Sequence, residues 1–369
     1  MSKLDRARTL LGDQKLDALL VSHPASRRYL SGLPHDDHGP DESAGILLVG
    51  PEAATLLVSR TNLPLAEATT RDDVRVEAWS HPWPAFVGER LRDAGLRRVG
   101  FEERALTVGD WGDIRAAAGD AVELVAVGDH VEDLRAVKDR EELRTLERAL
   151  DITDQVLAAA LSQVEVGMTE VALANLIADL MRDLGSDGLA FDTIVASGPH
   201  AARPHHDPTE RRLAAGEPVI VDLGAKVDGY CGDLTRTFVI GEPTEQFRTI
   251  YTIVLDAQEA ALRSLKAGMS GPDGDKLARD VIDGAGYGDQ FVHGLGHGLG
   301  LKVHESPSLG RTSGDTLRPG QVVTVEPGIY VDGWGGVRIE DVGVVTEGGF
   351  RNLTRSPKRL ADMVVPTHR

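Results

Sequence analysis

Apolar and polar positions alternate in two different ways along the chain, and the change occurs near residue 130. Before that point, short apolar runs are separated by amphipathic stretches with helical spacing. Strands that alternate with helices in this way indicate an α/β domain with a mixed or parallel sheet. The strands are predicted at 16–21, 45–49, 54–58, 74–79, 99–101 and 122–127, and the helices at 4–11, 85–94 and 108–118.

A long and highly charged helical pattern follows this first part. It runs from Asp133 to about Leu161 and is predicted as one helix. A change in composition together with such a helix commonly marks the junction of two domains. We therefore predict domains at 1–130 and 131–369, with a linker helix that begins near residue 133.

The second part has its strands and helices in separate blocks. Helices are predicted at 170–183, where Thr169 is a suitable N-cap, and at 245–265 and 271–282. Strands are predicted at 191–196, 218–223 and 234–240, and short strands with Gly-rich turns follow from Phe291. This separation predicts an α+β domain in which helices cover an antiparallel sheet.

Charge and cysteine content narrow the functional classes. Lys and Arg number 40 against 58 Asp and Glu, a net charge of −18, which argues against nucleic-acid and anionic-membrane partners. The single Cys231 excludes an internal disulfide, and we expect it to be a small core residue rather than a metal ligand. Without a signal-peptide pattern or a run of ~20 apolar residues, the protein is predicted to be cytoplasmic.

Acidic residues interrupt several strand-like apolar runs. Asp222 ends V-I-V-D, Asp233 precedes L-T-R-T-F-V-I, Glu326 follows V-T-V, and Glu340 follows V-R-I. Buried carboxylates are unfavourable unless a cation or a partner offsets their charge. His297 lies in an equally unusual Gly-rich segment, G-H-G-L-G. Four carboxylates with one imidazole favour manganese, cobalt or zinc over calcium.

These residues and their surroundings resemble a known family. The segments F-D-T-I-V-A-S-G-P, G-H-G-L-G-L-K-V-H-E, E-P-G-I-Y and G-G-V-R-I-E-D, within 191–353, are similar to those of the pita-bread metallopeptidases. The similarity is to the branch of Xaa-Pro dipeptidases (prolidases) and aminopeptidase P. The first 130 residues are similar to the creatinase/prolidase N-terminal domain. The resemblance implies a pita-bread fold for the second domain.

The resemblance also implies a site. The site would hold two divalent ions per chain, most readily Mn2+, with Co2+ or Zn2+ as alternatives. A hydroxide between the ions would attack the Xaa-Pro bond. Asp233 and Glu340 would bridge the ions, and Glu326 would also transfer a proton. The implied ligands are Asp222, Asp233, His297, Glu326 and Glu340. The residues implied near the substrate are His205, His293, His304 and Arg338, and those implied to orient the ligands are Arg338 and Tyr230.

Substrate choice is the least determined feature. Xaa-Pro dipeptides are favoured, with aminopeptidase P activity on longer peptides as the alternative; a metal-free creatinase-like hydrolase and a non-catalytic binding protein are less favoured. A homodimer is expected from the resemblance. Many prolidases carry an Arg where this chain has Ser308, so Arg311, Lys302 or Arg203 is left to hold a substrate carboxylate. We also expect the acidic loop Asp36–Glu42 to cap the site and meet the substrate's amino group.

Overall fold

The structure is a computed structural model that describes residues 1–34, 37, 39 and 42–367. The chain folds as two compact units, Met1–Arg135 and Ala136–Arg369. The first unit is α/β and the second α+β, as predicted for the two parts of the chain. Much of the acidic loop 36–42 lies outside the described residues, and its predicted role stays a prediction. Asp37, which is described, accepts hydrogen bonds from Arg27 (2.8 Å) and from the Ala44 amide (2.7 Å).

The first unit is built on one six-stranded sheet. Its strand order is β4-β3-β2-β1-β5-β6, with β1/β2 and β2/β3 antiparallel and the other pairs parallel. Two short helices are not evident in the sequence pattern, because the first buries Ser26, Arg27 and Ser31 where apolar residues would reveal a period. The elements are α1 Lys3–Gln14, β1 Ala18–Val21, α2 Pro24–Ser31, β2 Gly45–Val49, β3 Ala54–Val58, α3 Leu63–Thr69, β4 Val74–Ala78, α4 Trp83–Asp93, β5 Arg98–Phe101, α5 Val108–Ala118 and β6 Glu123–Ala126.

The long charged helix predicted from Asp133 to Leu161 is wrong as a single element. The structure has two helices instead, α6 His130–Ala136 and α7 Arg140–Leu161. Asp139 separates the two helices because it is the N-cap of α7. Its side chain accepts hydrogen bonds from the backbone amides of Glu141 and Glu142, which have no partner within the helix. Charged residues with helical spacing continue through this region of the sequence, but the capping box at Asp139 starts a new helix.

The second unit contains the larger core. Among the described residues of this unit, four sheets have the orders β11-β10-β7, β20-β12-β9-β8, β14-β13-β15-β18-β19 and β16-β17, and the β12/β20 pair is the parallel one. Helix α8 begins after Thr169, whose side chain caps it as predicted. The elements after α7 are α8 Glu170–Asp183, β7 Gly188–Leu189, β8 Ile194–Ser197, β9 Pro218–Leu223, β10 Ala225–Val227, β11 Tyr230–Cys231, β12 Leu234–Ile240, α9 Glu245–Ser264, α10 Gly271–Gly284, β13 Gly296–Gly298, β14 Glu305–Leu309, β15 Val322–Val325, β16 Gly328–Val331, β17 Gly335–Arg338, β18 Asp341–Thr346, β19 Gly349–Asn352 and β20 Val364–Val365.

Helices α7 to α10 pack their apolar faces against these strands. Phe238, Phe247, Tyr251 and Phe291 are among the largest fully buried side chains, and Cys231 is buried as a small core residue. In the described part of the chain, none of the helices combines the length and the apolarity needed to span a bilayer.

Candidate metal centre

Two of the predicted ligands come from one antiparallel strand pair. Asp222 lies in β9, and Asp233 directly precedes β12, whose Thr235 is opposite Asp222. The hairpin between these strands turns at Asp228 and Gly229, both of which have positive φ (47° and 81°). A turn with two such residues suits the twist of paired strands and lets the chain return at once. Both carboxylates therefore reach the same end of the sheet.

His297 lies in the short strand β13, where the backbone is crowded on both sides. A Cβ at Gly296 would lie 2.1 Å from the Thr324 carbonyl oxygen, and one at Gly298 would lie 2.2 Å from the Ser306 carbonyl oxygen. Only glycine permits these approaches. The Gly-rich segment is thus a packing requirement that sets the position of the imidazole.

The two predicted glutamate ligands lie at neighbouring ends of a pair of antiparallel strands. Glu326 follows β15 and Glu340 precedes β18, and these strands are antiparallel with Val325 opposite Asp341. The Glu340 amide donates to the Thr235 carbonyl (3.1 Å), which links this pair to β12. The local fold thus brings acids that are more than a hundred residues apart in sequence to one place.

The ligand atoms are close enough to share a cation. One donor atom each of Asp233, His297 and Glu340 lies within 4.8 Å of the others. His297 Nε2 is 3.1 Å from Glu326 Oε1, while its Nδ1 is 3.1 Å from the Gly298 carbonyl oxygen. Because that oxygen can only accept, Nδ1 carries a proton, and Nε2 faces the carboxylates. A backbone partner of this kind commonly orients a metal-binding histidine.

The acids perturb one another strongly. Burial raises the pKa values of Asp233 and Glu340 well above their ordinary ranges, and the neighbouring carboxylates raise them further. Burial also raises the pKa of Asp222, although the Arg338 guanidinium opposes this. Burial alone would lower the pKa of His297, but the hydrogen bond and charge of Glu326 raise it to about 9. Burial reports the loss of water around these groups, and the effects of the neighbouring carboxylates report negative charge that the protein itself does not offset.

Two buried carboxylate oxygens have no hydrogen-bond partner among the described residues. They are Asp222 Oδ1 and Glu340 Oε1, whereas the second oxygens accept from Arg338 Nη2 (2.6 Å) and from Thr235 Oγ1 (2.8 Å). Burying such an oxygen without a partner costs about 1–3 kcal/mol. Carboxylate oxygens without a hydrogen-bond partner, together with an imidazole nitrogen, are suitable ligands for a divalent metal. The residues therefore fit a metal centre.

The four carboxylates and the imidazole line a cavity of about 740 Å³ in the second unit. The predicted substrate-facing residues His205, His293, His304 and Arg338 line it as well. The His304 ring lies 4.3 Å from the His297 ring, centroid to centroid. Burial lowers the pKa of His304, and His297 lowers it further, so His304 is neutral at pH 7 and has one N–H to donate.

Arg338 connects the ligands to the cavity wall. Its guanidinium donates to Asp222, to Thr235 Oγ1 (3.0 Å), to the Tyr330 hydroxyl (2.9 Å) and to the Pro204 carbonyl (3.3 Å). Tyr330 also contacts His293 Nε2 (2.9 Å). Sequence analysis does not single out Tyr330, although it lies in the E-P-G-I-Y segment beside Glu326.

Tyr230, which we predicted to orient the ligands, contacts a helix, and its role at the ligands stays a prediction. Its hydroxyl donates to Glu142 of α7 (2.7 Å), and the residue is not among those that line the cavity. Tyr230 belongs to the short strand β11, which ends the hairpin before Asp233 and turns this side chain toward α7. Tyr330 is a tyrosine that does contact Arg338 (2.9 Å).

A second group of metal-type donors lies in the same unit and is not evident from sequence spacing. Glu170, His200 and His206 each place a donor atom within 4.8 Å of the others. Here, however, the carboxylate accepts from several protein groups, including the Ser197 and Thr209 amides (2.8 and 3.1 Å). The two groups therefore share residue types but differ in hydrogen bonding.

These features define a hydrolytic type of metal site, rich in carboxylates and open to a cavity. Two family descriptions match the chain: metallopeptidase family M24 at residues 144–347 and the creatinase/prolidase N-terminal domain at residues 3–137. The chain belongs to metallopeptidase family M24, and it is an enzyme of the metal-dependent peptidase class. The pita-bread fold expected for the second domain is confirmed by this match.

Individual relatives are similar over the full chain. The Xaa-Pro dipeptidase of Pyrococcus furiosus is 42% identical over 97% of this chain and 99% of that protein. The structure of the Xaa-Pro dipeptidase from Bacillus anthracis has a TM-score of 0.91 at 35% identity and covers 98% of this chain and 99% of its own. That of the X-Pro aminopeptidase from Thermotoga maritima has a TM-score of 0.90 at 34% identity, with 99% and 100% covered.

Proposed function

We propose that this chain hydrolyses the peptide bond before proline, with Xaa-Pro dipeptides as its main substrates. The convergence of four carboxylates and one imidazole on one cavity carries the proposal. The named activity of the relatives from P. furiosus and B. anthracis supports the substrate class. Aminopeptidase action on longer peptides is the second candidate, and the similarity to the T. maritima aminopeptidase favours it.

The ligand set is proposed to hold two divalent ions, preferably manganese, with cobalt or zinc as alternatives. The proposed ligands are Asp222, Asp233, His297, Glu326 and Glu340, with Asp233 and Glu340 shared between the ions. When bound, such a pair lowers the pKa of water so that hydroxide is available near neutral pH, and it polarises the scissile carbonyl. The homodimer and the cytoplasmic location stay predictions.

Side chains of this chain handle protons and charge around the scissile bond. Burial would raise the pKa of Glu326, but hydrogen bonding and the charge of His297 lower it to about 2, so it is ionised and can accept a proton from water. We assign it transfer of that proton to the proline nitrogen. The neutral His304 donates its N–H to the carbonyl oxygen as negative charge develops there.

Two further histidines bind the substrate. His293 is fixed by the Gly294 carbonyl (2.8 Å to Nδ1) and by Tyr330, and it lies beside Val292, whose side chain is exposed to the cavity. This apolar and aromatic wall suits a proline ring. His205 also lines the cavity and is assigned to the region of the scissile bond and leaving group.

A free cation at the cavity supports the preference for dipeptides. Arg311 lines the cavity and is exposed, and no described residue forms a hydrogen bond or ion pair with its guanidinium. Of the three cations considered for the substrate carboxylate, Lys302 and Arg203 are not among the lining residues. Arg338 is already engaged by four groups. We therefore assign the carboxylate of the substrate to Arg311.

The test compares substrates in one Mn2+-loaded preparation. We expect Ala-Pro to be cleaved, Ala-Pro-Ala to be cleaved less efficiently, and Ala-Ala to be resistant. Arg311→Gln should raise KM for Ala-Pro by about 10-fold, because a charge-assisted contact is lost, and should leave KM for the uncharged amide Ala-Pro-NH2 unchanged. Arg203→Gln is the matched control and should behave as the wild type.

Different results contradict different parts of the proposal. Cleavage of Ala-Ala as fast as Ala-Pro would refute the proline specificity. Faster cleavage of Ala-Pro-Ala than of Ala-Pro would favour the aminopeptidase. An equal rise in KM for Ala-Pro and Ala-Pro-NH2 would refute the role of Arg311 alone.

A further inference from the structure

The segment 197–209 brings His205 to the cavity, and its two ends are tied to one carboxylate. That carboxylate belongs to Glu170, the first residue of α8, which is fully buried. Its Oε1 accepts from the Ser197 amide (2.8 Å) and hydroxyl (2.7 Å), and its Oε2 accepts from the Thr209 amide (3.1 Å) and hydroxyl (2.7 Å). Both ends of the segment are thus fixed by backbone as well as side-chain contacts.

Two imidazoles within the segment are bound to the same carboxylate. His200 Nδ1 lies 3.1 Å from Oε1, and His206 Nε2 lies 3.1 Å from Oε2 of Glu170. The His206 side chain is buried, with 5% of its surface exposed. Because a peptide bond is rigid, a buried and anchored His206 restricts where the preceding residue, His205, can point.

On its opposite side, the segment contacts Arg338, which also binds a proposed metal ligand. The Pro204 carbonyl, next to His205, accepts from Arg338 Nη1 (3.3 Å), and Arg338 Nη2 donates to Asp222 (2.6 Å). Residues 204–206 therefore lie between a proposed metal ligand and Glu170. A change on either side would move His205 relative to the other ligands.

The same three residue types could suggest a further metal site, but the hydrogen bonding argues against it. Glu170 accepts from six donor groups, so each of its oxygens is saturated. Burial would raise the pKa of Glu170, but the hydrogen bonds from Thr209, Ser197 and His206 lower it to about 2. This carboxylate is already stabilised in its ionised form without a cation.

We propose that Glu170 is a positioning residue that holds His205 in its productive orientation through His200, His206 and Thr209. The inference rests on the proposed function, since it concerns how a substrate-facing histidine is placed. It adds a residue that is not among those lining the cavity and that acts through other side chains of the segment.

The test is a double-mutant cycle between Glu170→Gln and His205→Ala with Ala-Pro as substrate. Displacing a substrate-facing group by about 1 Å can cost up to about 100-fold in rate, so Glu170→Gln should lower kcat by ~10- to 100-fold with little change in KM. In the His205→Ala background the same change should alter kcat by less than about twofold, because additivity fails for residues that act as a unit. Bound metal per chain should be unchanged.

A matched control separates positioning from general destabilisation. Glu102 is a buried carboxylate of the first unit that accepts the Ser22 and His23 amides (2.9 Å each). We expect Glu102→Gln, which also neutralises a buried and hydrogen-bonded carboxylate, to leave kcat unchanged. An equal loss of kcat from Glu170→Gln in both His205 backgrounds, or no loss in either, would overturn the inference.

Two more readouts keep the inference testable if Glu170→Gln folds poorly, and the second of them does not require that Ala-Pro is a substrate. His206→Gln keeps an N–H donor toward Glu170 and should retain kcat, whereas His206→Leu should lose it; equal behaviour of the two would overturn the inference. Amide hydrogen exchange in 198–207 should accelerate in His206→Leu and not in His206→Gln, and unchanged exchange would overturn it. Failure of the wild type to cleave Ala-Pro would instead refute the proposed function.

Discussion

Two groups of buried acids in the second unit show opposite solutions to the same problem. Glu170 has six donors around its two oxygens, and its pKa is lowered to about 2. Asp233 and Glu340 lie among other carboxylates, and their pKa values are raised well above the usual range, first by burial and then by their neighbours. Hydrogen bonds from the protein stabilise the negative charge of Glu170. The acids around Asp233 and Glu340 need a cation to offset their charge.

The difference teaches how to read a cluster of potential ligands. Distance between donor atoms is the same criterion in both groups and does not separate them. The two groups are separated by the number of hydrogen-bond donors that already contact each carboxylate. Among the described residues, Asp222 Oδ1 and Glu340 Oε1 are buried without a partner. Oxygens in that state are available to a metal at no cost in protein hydrogen bonds.

The strongest way to break this comparison is to remove an acid from the metal centre. Asp233→Ala or Glu340→Ala should lower kcat/KM for Ala-Pro by at least about 1,000-fold at saturating Mn2+, because each removes a proposed bridge between the ions. Asp192→Asn is the control, since Asp192 is an exposed acid that lines the same cavity. Retention of more than a tenth of the activity in either alanine variant would refute the bridging roles.

A smaller effect is expected on stability when Glu170 is changed. The pKa of Glu170 is about 2, against an ordinary value of 4.5. A lowered pKa means that the ionised form stabilises the fold, and this contribution is complete above about pH 4.5 and is lost as the pH falls toward 2. In metal-free protein, Glu170→Gln should lower the free energy of unfolding at pH 7 by on the order of 3 kcal/mol.

The pH dependence separates this electrostatic contribution from simple packing damage. Urea unfolding of wild type and Glu170→Gln in EDTA should show a clearly smaller difference at pH 3 than at pH 7. An equal difference at both values would mean that the charge of Glu170 contributes nothing.

The sequence singles out the candidate metal ligands because each of them contradicts its local pattern. Asp222, Asp233, Glu326 and Glu340 are acids in apolar strand-like runs, and that conflict is visible without a structure. The paired strands then bring them together, since Asp222 and Asp233 belong to one antiparallel pair. Most of the fold is predictable for a similar reason, because apolar runs and the Thr169 cap are local signals.

The parts that sequence does not predict depend on contacts between distant residues. The six donors of Glu170 come from residues 27 to 39 positions away, and none of them disturbs a local pattern. Tyr330 and Tyr230 are both tyrosines beside proposed ligands in sequence, and only their contacts distinguish them. The break between α6 and α7 depends on one capping side chain, Asp139, within a continuously charged pattern.

The central claim is that the acids around Glu340 require a cation, and metal-linked unfolding tests it most directly. The measurement is the free energy of unfolding of wild type and Glu340→Gln in EDTA and across a Mn2+ titration. In EDTA, Glu340→Gln should be more stable than the wild type by about 1 kcal/mol, because an unpaired buried charge is removed. With Mn2+, the wild type should gain stability as the ion saturates the folded state, and the variant should gain much less. A wild type that binds fewer than one ion per chain and is unaffected by Mn2+, or a Glu340→Gln protein less stable than wild type in EDTA, would contradict the account.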